Sequence, residues 1–334
     1  MTKVKVSLDD IEQRALQALT THGAADWVAK EVAIAVRVAE ANKNLICGLY
    51  YLESYCLQLV SGRVNGTVEP VVTQPRSASV KVDAKFGFAQ AAFQRGIETA
   101  VNVAREAGTC ALAICHSHTC TSLGFFTEQI AKAGLIGIGF TNASAVVSPP
   151  GGNKALLGTN PIAMAIPAEQ GGVAFQFDQS TSAVALGKIT MAASAGESIP
   201  EGWAVDSDGN PTTDPKAALK GSLVSTGGYK GFGFGLMTEI LAAAVTGSVA
   251  STEVKGLKLA DGPPHGLGQF YFLLDPGTFS GDAFWQNLAS LEAAVDKQAG
   301  ARLPGTNRQP VTEVEIDKAL WEQTISLAVT RISG

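Results

Sequence analysis

ALAICHSHTCTSLGFFTEQIAKAGLIGIGF, residues 111–140, carries the pattern that decides the fold class. Two short apolar runs, 111–114 and 135–140, have the length of buried strands. Between them, residues 126–133 have the apolar spacing of a helix. A strand, a helix and a second strand in succession predict an α/β sheet packed on both faces.

The same alternation continues outward from this stretch. The sequence predicts strands at 79–83, 172–178 and 269–274, and helices at 89–106 and 231–246, whereas 188–222 is polar and lacks periodicity.

The two ends of the chain look helical. Helices are predicted at about 8–22, 25–41 and 49–60, and the helices expected at 278–297 and 313–332 are predicted to return to this N-terminal unit. The expected organisation is a helical domain from 1–70 plus 300–334 and an α/β domain from 71–299.

Composition excludes several classes of protein. The 334 residues are 46% hydrophobic and only 16% charged, with a net charge of −5, which excludes intrinsic disorder and indicates a subunit interface. No basic cluster interleaves with aromatic residues, so no nucleic-acid partner is expected. No apolar run reaches the length of about 20 residues that spans a bilayer, and the first residues lack a signal-peptide pattern. We therefore expect a cytoplasmic protein without a membrane partner.

Five cysteines raise the question of a metal site. Cys110, Cys115 and Cys120 are regularly spaced, but the first two flank the apolar run 111–114. That placement favours free buried thiols in a reducing compartment over a metal cluster. We expect no metal.

Familiar nucleotide-binding motifs are missing. Gly137-Ile-Gly139 lies inside a predicted strand and has no third glycine, so it is not the dinucleotide fingerprint that opens a helix. Gly187-Lys188-Ile-Thr190 resembles the end of a P-loop without its upstream glycine. A dinucleotide would therefore need a non-Rossmann scaffold.

Four polar, turn-forming segments lie at the ends of predicted strands or open a helix. Such loops are where α/β proteins bind ligands, and hydroxyls, helix-start amides and Lys230 suit an anion. Each segment also has a structural interpretation as a helix cap or a buried histidine. The segments are His116-Ser-His-Thr-Cys-Thr-Ser-Leu123, Leu157-Gly-Thr-Asn-Pro-Ile-Ala163, Phe177-Asp-Gln-Ser-Thr-Ser-Ala183 and Gly227-Gly-Tyr-Lys-Gly231.

Together these segments resemble the type-2 malate/L-lactate dehydrogenase family over almost the whole chain. Gly158-Thr-Asn-Pro-Ile-Ala163 is the most specific marker. Val82-Asp-Ala-Lys-Phe-Gly-Phe-Ala-Gln90 and Arg302-Leu-Pro-Gly305 follow the family's order and spacing. Within the family, the chain looks most similar to the Δ1-piperideine-2-carboxylate/Δ1-pyrroline-2-carboxylate reductases.

The resemblance implies a non-Rossmann NAD(P)-binding fold of the L-sulfolactate/malate dehydrogenase type, with a mixed central sheet and a helical domain built from both termini. It also implies NADPH as cofactor, with NADH as the alternative, and a homodimer whose active site lies at the subunit interface. Thr159, Leu186 and Gly187 match substrate-contacting positions. The cofactor-contacting positions match His118, Thr119, Cys120, Thr121, Ser122, Leu123, Asp178, Gln179, Ser180, Tyr229, Lys230, Arg302, Leu303, Pro304, Gly305 and Arg308.

The chain departs from the family at the catalytic positions. The family's proton-donating His falls on Cys47, its carboxylate-binding Arg on Tyr51 and its orienting Asp on Lys188. The candidate catalytic residues are therefore Cys47 and Lys188, with Lys188 assigned to the substrate carboxylate and Tyr51 to the substrate pocket. Three interpretations remain open: a shifted catalytic apparatus, an inactive homologue, or an alignment that is locally displaced.

The loss of the family's proton donor, orienting residue and carboxylate-binding residue favours one kind of substrate. Reducing a ketone develops negative charge on oxygen and needs a proton donor, whereas a cyclic imine can accept hydride as an already protonated iminium. The sequence thus predicts an NADPH-dependent reductase of Δ1-pyrroline-2-carboxylate or Δ1-piperideine-2-carboxylate, yielding L-proline or L-pipecolate. The alternatives are a 2-hydroxyacid dehydrogenase of the malate or lactate type, acting on a keto acid, and a catalytically silent nucleotide-binding homologue.

Overall fold

A computed structural model describes residues 2–306 and 311–332. The strands are β1 (Lys3–Ser7), β2 (Val71–Arg76), β3 (Ser79–Asp83), β4 (Thr109–Ser117), β5 (Ile136–Thr141), β6 (Ile162–Pro167), β7 (Val173–Gln179), β8 (Ala204–Val205), β9 (Pro211–Thr212), β10 (Ser222–Leu223), β11 (Leu267–Leu274) and β12 (Glu313–Asp317).

The helices alternate with these strands through the middle of the chain. They are α1 (Leu8–Thr21), α2 (Asp26–Ala41), α3 (Leu52–Ser61), α4 (Ala89–Ala107), α5 (Gly124–Lys132), α6 (Leu186–Ala195), α7 (Pro215–Lys220), α8 (Tyr229–Glu239), α9 (Pro276–Ser280), α10 (Ala283–Asp296) and α11 (Lys318–Val329). A π-helical segment, Ile240–Val245, continues α8. None of the helices in the described ranges has the length and apolar run that crossing a bilayer requires.

The central sheet has seven strands in the order β2-β3-β4-β11-β5-β6-β7. Only β3 and β4 pair in parallel, so the described sheet is mixed, as the resemblance implied. On one face, α4 and α5 bury Phe93, Leu112, Phe126 and Tyr271 in a common core. Burial of such large apolar side chains is the main stabilising term of the sheet.

The chain termini meet in a separate core. Ser7 caps α1 by accepting a hydrogen bond from the Asp10 amide. Buried side chains of α1, α2 and α3 share a cluster with Ile316 and Leu327 from the C-terminal end. The proposed limits at 70/71 and 299/300 stay a prediction, because Phe88 and Ala91 at the start of α4 also pack in this cluster.

Two predicted helices near the C-terminus were wrong in part. Glu313–Asp317 is a strand that pairs antiparallel with Lys3–Ser7, because its alternating sequence, Glu-Val-Glu-Ile-Asp, suits an edge pairing. The helix expected at 278–297 is interrupted at Gly281 and does not return to the N-terminal unit. Trp285 on α10 instead borders a small cavity with Ala168 beside β6.

The polar region 188–222 is more ordered than its sequence suggests. It forms α6, α7 and a three-stranded sheet in the order β10-β8-β9. These elements enclose a small core that contains Ile189, Ile199, Ala218 and Leu223. The core is formed by residues far apart in sequence, so no periodicity within one segment reveals it.

Candidate active site

A cavity of about 580 Å³ lies where the N-terminal helices meet the α/β block. Two short 3₁₀ turns after α2, Leu45–Cys47 and Leu49–Tyr51, form one wall. The ends of β4 and β5 and the start of α6 form the others. Its lining includes Ile46, Cys47, Tyr50, Tyr51, Thr119, Cys120, Thr121, Thr159, Leu186, Gly187, Leu257 and Lys258.

The cavity brings together residues that the sequence assigned to substrate. Cys47, Tyr51, Thr159, Leu186 and Gly187 come from three distant segments and all line it. Their roles stay predictions, but their shared location is what a common site requires.

Lys188 is placed differently. It follows Gly187 on α6, but its side chain is exposed and it is not among the residues that line the cavity. Its assignment to the substrate carboxylate stays a prediction and finds no support in this geometry.

The Cys47 thiol is neutral. Burial raises the pKa of Cys47 to about 12, the negative charge of Asp178 raises it further, and a hydrogen bond with Asn44 opposes both effects. A group with this pKa keeps its proton at neutral pH and gives it up at a large energetic cost. Cys47 is therefore a poor general acid.

Tyr51 is neutral as well. Burial is the main cause that raises the pKa of the Tyr51 phenol above its usual range, and Cys47 adds to the effect. The ring packs 5.5 Å from that of Tyr55, centroid to centroid. Tyr51 offers a hydroxyl for hydrogen bonding but no positive charge, so it does not replace an arginine.

Lys258, an exposed residue, places a positive charge at the wall of this cavity. Its Nζ lies 3.4 Å from the centroid of the Tyr50 ring and 5.4 Å from that of Tyr51, and it donates a 3.2 Å hydrogen bond to the Tyr50 carbonyl. Among the described residues that line the cavity, it is the only charged one. Sequence reasoning missed it because the segment around it, Gly256-Leu-Lys-Leu259, carries no motif.

Buried polar side chains hold the Lys258 loop in place. The Arg63 side chain is 2% exposed and donates hydrogen bonds of 3.0, 2.6 and 3.0 Å to the carbonyls of Gly256, Leu259 and Pro263. Gln58 Nε2 donates to the carbonyls of Leu257 and Leu259 at 2.9 and 2.7 Å. Since each carbonyl would be costly to leave unpaired, this network fixes the loop against α3.

His118 belongs to the same buried network. Its Nε2 lies 2.6 Å from Gln58 Oε1, and its ring stacks on His265 at 4.0 Å. Burial lowers the pKa of His118 and holds that of His265 at about 3, so both rings are neutral. His265 Nδ1 accepts from the Thr119 amide at 3.3 Å. His118, predicted to contact cofactor, thus lies behind the cavity wall and supports Thr119.

A second cavity, of about 340 Å³, holds other predicted cofactor residues. Ser122 and Asp178 line it together with Asn44 and Gly124. Asp178 Oδ2 accepts hydrogen bonds from the Gly124 amide at 2.8 Å and from Ser122 Oγ at 3.2 Å. Leu123, by contrast, is fully buried in the core, so its side chain does not reach a cavity.

A third cavity, of about 650 Å³, continues from the second. The two share Val38, Asn42, Glu128 and Gln176. Gly305 lines the third cavity, and the Pro304 carbonyl accepts a 3.1 Å hydrogen bond from the Gln176 amide.

The remaining predicted cofactor residues line none of these three cavities. Tyr229 and Lys230 are exposed at the start of α8. Just before them, the Thr226 amide donates a hydrogen bond to the carbonyl of Thr181, the residue that follows Ser180. The cofactor contacts of all the predicted residues stay predictions, and those that line none of the three cavities include Gln179, Ser180, Tyr229, Lys230, Arg302, Leu303 and Pro304. Arg308 lies outside the described residues.

Comparisons with known proteins agree with this fold. The family described as malate/L-lactate dehydrogenase matches residues 6–323. A protein of Chromohalobacter salexigens named (2R)-3-sulfolactate dehydrogenase (NADP(+)) is 38% identical over 332 residues, covering 98% of this chain and 99% of that one. Delta(1)-pyrroline-2-carboxylate reductase 1 of Burkholderia ambifaria is 35% identical over 336 residues, covering 98% of each.

A solved structure extends the likeness to three dimensions. Δ1-piperideine-2-carboxylate reductase from Pseudomonas syringae pv. tomato superimposes with a TM-score of 0.90 at 33% identity, covering 97% of this chain and 99% of that one. The predicted fold class and resemblance are confirmed, and the relatives are named as reductases and dehydrogenases. The chain belongs to the malate/L-lactate dehydrogenase family.

Proposed function

We propose that the protein is an NADPH-dependent reductase that converts Δ1-pyrroline-2-carboxylate or Δ1-piperideine-2-carboxylate to L-proline or L-pipecolate. The observation that carries the proposal is the chemistry of the 580 Å³ cavity. Among its described lining residues there is no His, Asp or Glu, and the Cys47 thiol has a pKa of about 12. Such a site suits a substrate that brings its own proton, which a cyclic iminium does.

Lys258 takes the role of carboxylate partner in this proposal. A cation beside an iminium is unfavourable unless it pairs with the carboxylate of the same substrate. Lys258 stands at the cavity wall over the Tyr50 ring, whereas the side chain of Lys188 does not line the cavity. With Lys258 on the carboxylate, the neutral Tyr51 hydroxyl and Thr159 remain available for hydrogen bonds, and Ile46 and Leu186 add apolar surface to the wall.

The residues of the second and third cavities fit a dinucleotide. Within the described part of the chain, Gln176 Oε1 is buried and has no hydrogen-bond partner, and Gln176 lines both cavities, so it would accept a bond from a ribose hydroxyl or an adenine amine. Ser122 and the Gly124 amide lie at the start of α5, and Arg37 lines the third cavity. When bound, NADPH supplies the hydride that reduces the imine carbon.

The direct experiment is to incubate the purified protein with NADPH and each cyclic imine and to identify the product by chiral chromatography. Formation of L-proline or L-pipecolate supports the proposal. Cofactor binding by calorimetry without turnover of any imine or keto acid would instead identify a silent homologue.

The 38% identity to a named sulfolactate dehydrogenase favours a second candidate, an NADP-dependent 2-hydroxyacid dehydrogenase. Both candidates need a cation for the substrate carboxylate, so Lys258 serves either. They differ in the proton donor, since reduction of a keto acid requires one at the carbonyl oxygen.

We also propose a cytoplasmic homodimer. The five cysteines are free, which suits a reducing compartment. Helix α8 and its π-helical extension expose an apolar row that a second copy would cover. The row consists of Phe234, Leu236, Met237, Ile240 and Val245, with exposed fractions of 37–56%.

A further inference from the structure

Three metal-binding side chains meet at the ends of two neighbouring strands. Asp83 ends β3, Cys115 and His116 lie near the end of β4, and one ligand atom from each lies within 4.8 Å of the others. His116 Nδ1 is 3.1 Å from Asp83 Oδ1. Among the described residues this is the one group of three His, Cys, Asp or Glu side chains close enough to hold a metal ion.

The backbone explains why three side chains point to one place. Asp83 and Cys115 are register partners in the parallel pair, so their side chains lie on the same face of the sheet. That face is opposite to the one that buries Leu112 and Ile114. His116 would point to the other face in a regular strand, but its φ of 51° turns the chain and brings the imidazole back to Asp83.

From this arrangement we infer that Asp83, Cys115 and His116 form a binding site for a divalent transition metal of the zinc type. Thiolate, imidazole and carboxylate together are a donor set that Zn²⁺ prefers, and three protein ligands leave a fourth position for water. On binding, the Cys115 sulfur forms a bond to the metal and its proton passes to solvent. No oxidation or reduction takes place.

The three side chains are open to solvent on one side and enclosed by protein on the other. The Asp83 and His116 side chains are 39% and 37% exposed, so an ion reaches them from solvent, whereas Cys115 is 1% exposed and closes the inner side. Tetrahedral zinc places its N, O and S ligand atoms roughly 3.3–3.6 Å apart, within the separations found here.

A metal at this position would brace a wall of the active-site cavity. The chain after β3 bonds to the chain of β4 through Ala84 to the Cys115 carbonyl and Phe86 to the His116 carbonyl. The His118 amide bonds in turn to Gly87, just before Thr119 enters the cavity. Metal binding should therefore also raise the midpoint of thermal unfolding.

The test uses tag-free, full-length protein that has been treated with chelator and then titrated with Co²⁺ or Zn²⁺ alone. We expect one Co²⁺ per chain and a thiolate-to-cobalt charge-transfer absorption band that Cys115→Ser removes. His116→Asn and Asp83→Asn should each weaken Zn²⁺ binding by about a hundredfold or more, since even outer-shell changes cost about 10–100-fold. Asn tolerates the left-handed backbone at position 116.

Two matched controls separate this site from other thiols. The first is Cys110→Ser, since Cys110 lies on the same strand but packs toward α4. The second is Cys47→Ala, which removes the half-buried thiol of the substrate cavity. Both should retain the cobalt band and the unmodified Zn²⁺ affinity. The inference is overturned if the unmodified protein shows no cobalt–thiolate band, or if His116→Asn and Asp83→Asn bind Zn²⁺ as tightly as it does. Comparing the Zn²⁺ affinity of His116→Asn and Asp83→Asn with that of the unmodified protein tests the site even if Cys115→Ser does not fold.

Discussion

At the scale of single residues, Cys47 is the position at which the sequence predicts that the family's proton-donating histidine is replaced. Its thiol holds its proton too tightly to act as a general acid, because burial and Asp178 both disfavour the thiolate. Cys47→Ala should therefore lower kcat/KM for a cyclic imine by about fivefold or less, against about 10²–10⁴-fold for loss of a true general acid. Steady-state kinetics with saturating NADPH measure it, and a loss of a hundredfold would assign Cys47 a chemical role.

Lys258 and Lys188 form a matched pair for testing the carboxylate partner. Lys258→Gln removes the only charge on the described cavity lining and should raise KM for the imino acid by about ten- to hundredfold, with a smaller change in kcat. Lys188→Gln, with an exposed side chain off that lining, should leave KM within about twofold.

A cyclic imine without a carboxylate provides the control substrate for this pair. Its KM should not rise with Lys258→Gln, because this substrate has no carboxylate for Lys258 to pair with and the substitution removes a cation that repels the iminium. If Lys188→Gln raises KM for the imino acid and Lys258→Gln does not, the two assignments are reversed.

The sequence indicated part of this site and missed the rest for a physical reason. Cys47, Tyr51, Thr159 and Gly187 could be placed because they stand at positions of a family motif. Lys258 could not, because the loop that carries it is positioned by the buried side chain of Arg63, about 200 residues away in sequence. Such contacts leave no trace in local spacing.

At the scale of secondary-structure elements, the turn that carries Cys47 depends on a buried carboxyl group. Glu40, at the end of α2, is 1% exposed, and its Oε1 accepts a 2.7 Å hydrogen bond from the Leu49 amide. Burial raises the pKa of Glu40. A Cβ added at Gly48 would collide with the same Glu40 oxygen, so a larger residue fits there only if the buried Glu40 side chain moves away from the Leu49 amide.

A double-mutant cycle tests this packing. Gly48→Ala should lower the free energy of unfolding by about 1–3 kcal/mol, because the methyl group displaces the Glu40 side chain. In a Glu40→Ala background the same change should cost far less, since the obstacle is gone. Denaturant unfolding measures all four proteins. Strictly additive losses would show that Gly48 is needed for another reason.

Element boundaries were predictable where the cause is local. Helix α4 ends at Gly108, which adopts the left-handed conformation, and α1 begins at the Ser7 cap. By contrast, Glu313–Asp317 is a strand because it pairs with Lys3–Ser7. Helix α6 lies in a polar region of the sequence and is stabilised because Ile189 packs in a buried core. These outcomes depend on tertiary contacts that override local propensity.

At the scale of the whole molecule, the exposed apolar row on α8 and its extension predicts association. Ile240→Asp should convert a dimer to a monomer, because a carboxylate buried at the interface has no partner. Val329→Asp, at an exposed valine on α11, should leave the dimer intact. Sedimentation velocity at assay concentrations measures both. An unmodified protein that is fully active as a monomer would contradict the proposed dimer.

The central claim is that the cavity reduces a substrate which carries its own proton, because its described lining offers no effective acid. The most direct measurement compares kcat/KM of the unmodified enzyme for Δ1-pyrroline-2-carboxylate with that for pyruvate and oxaloacetate, at saturating NADPH and the same pH. We predict that kcat/KM for the imine is higher by about a hundredfold or more. This is the contribution of a general acid, which reduction of a keto acid in this cavity would lack. Faster reduction of either keto acid would show that the site contains a proton donor and would contradict the imine assignment.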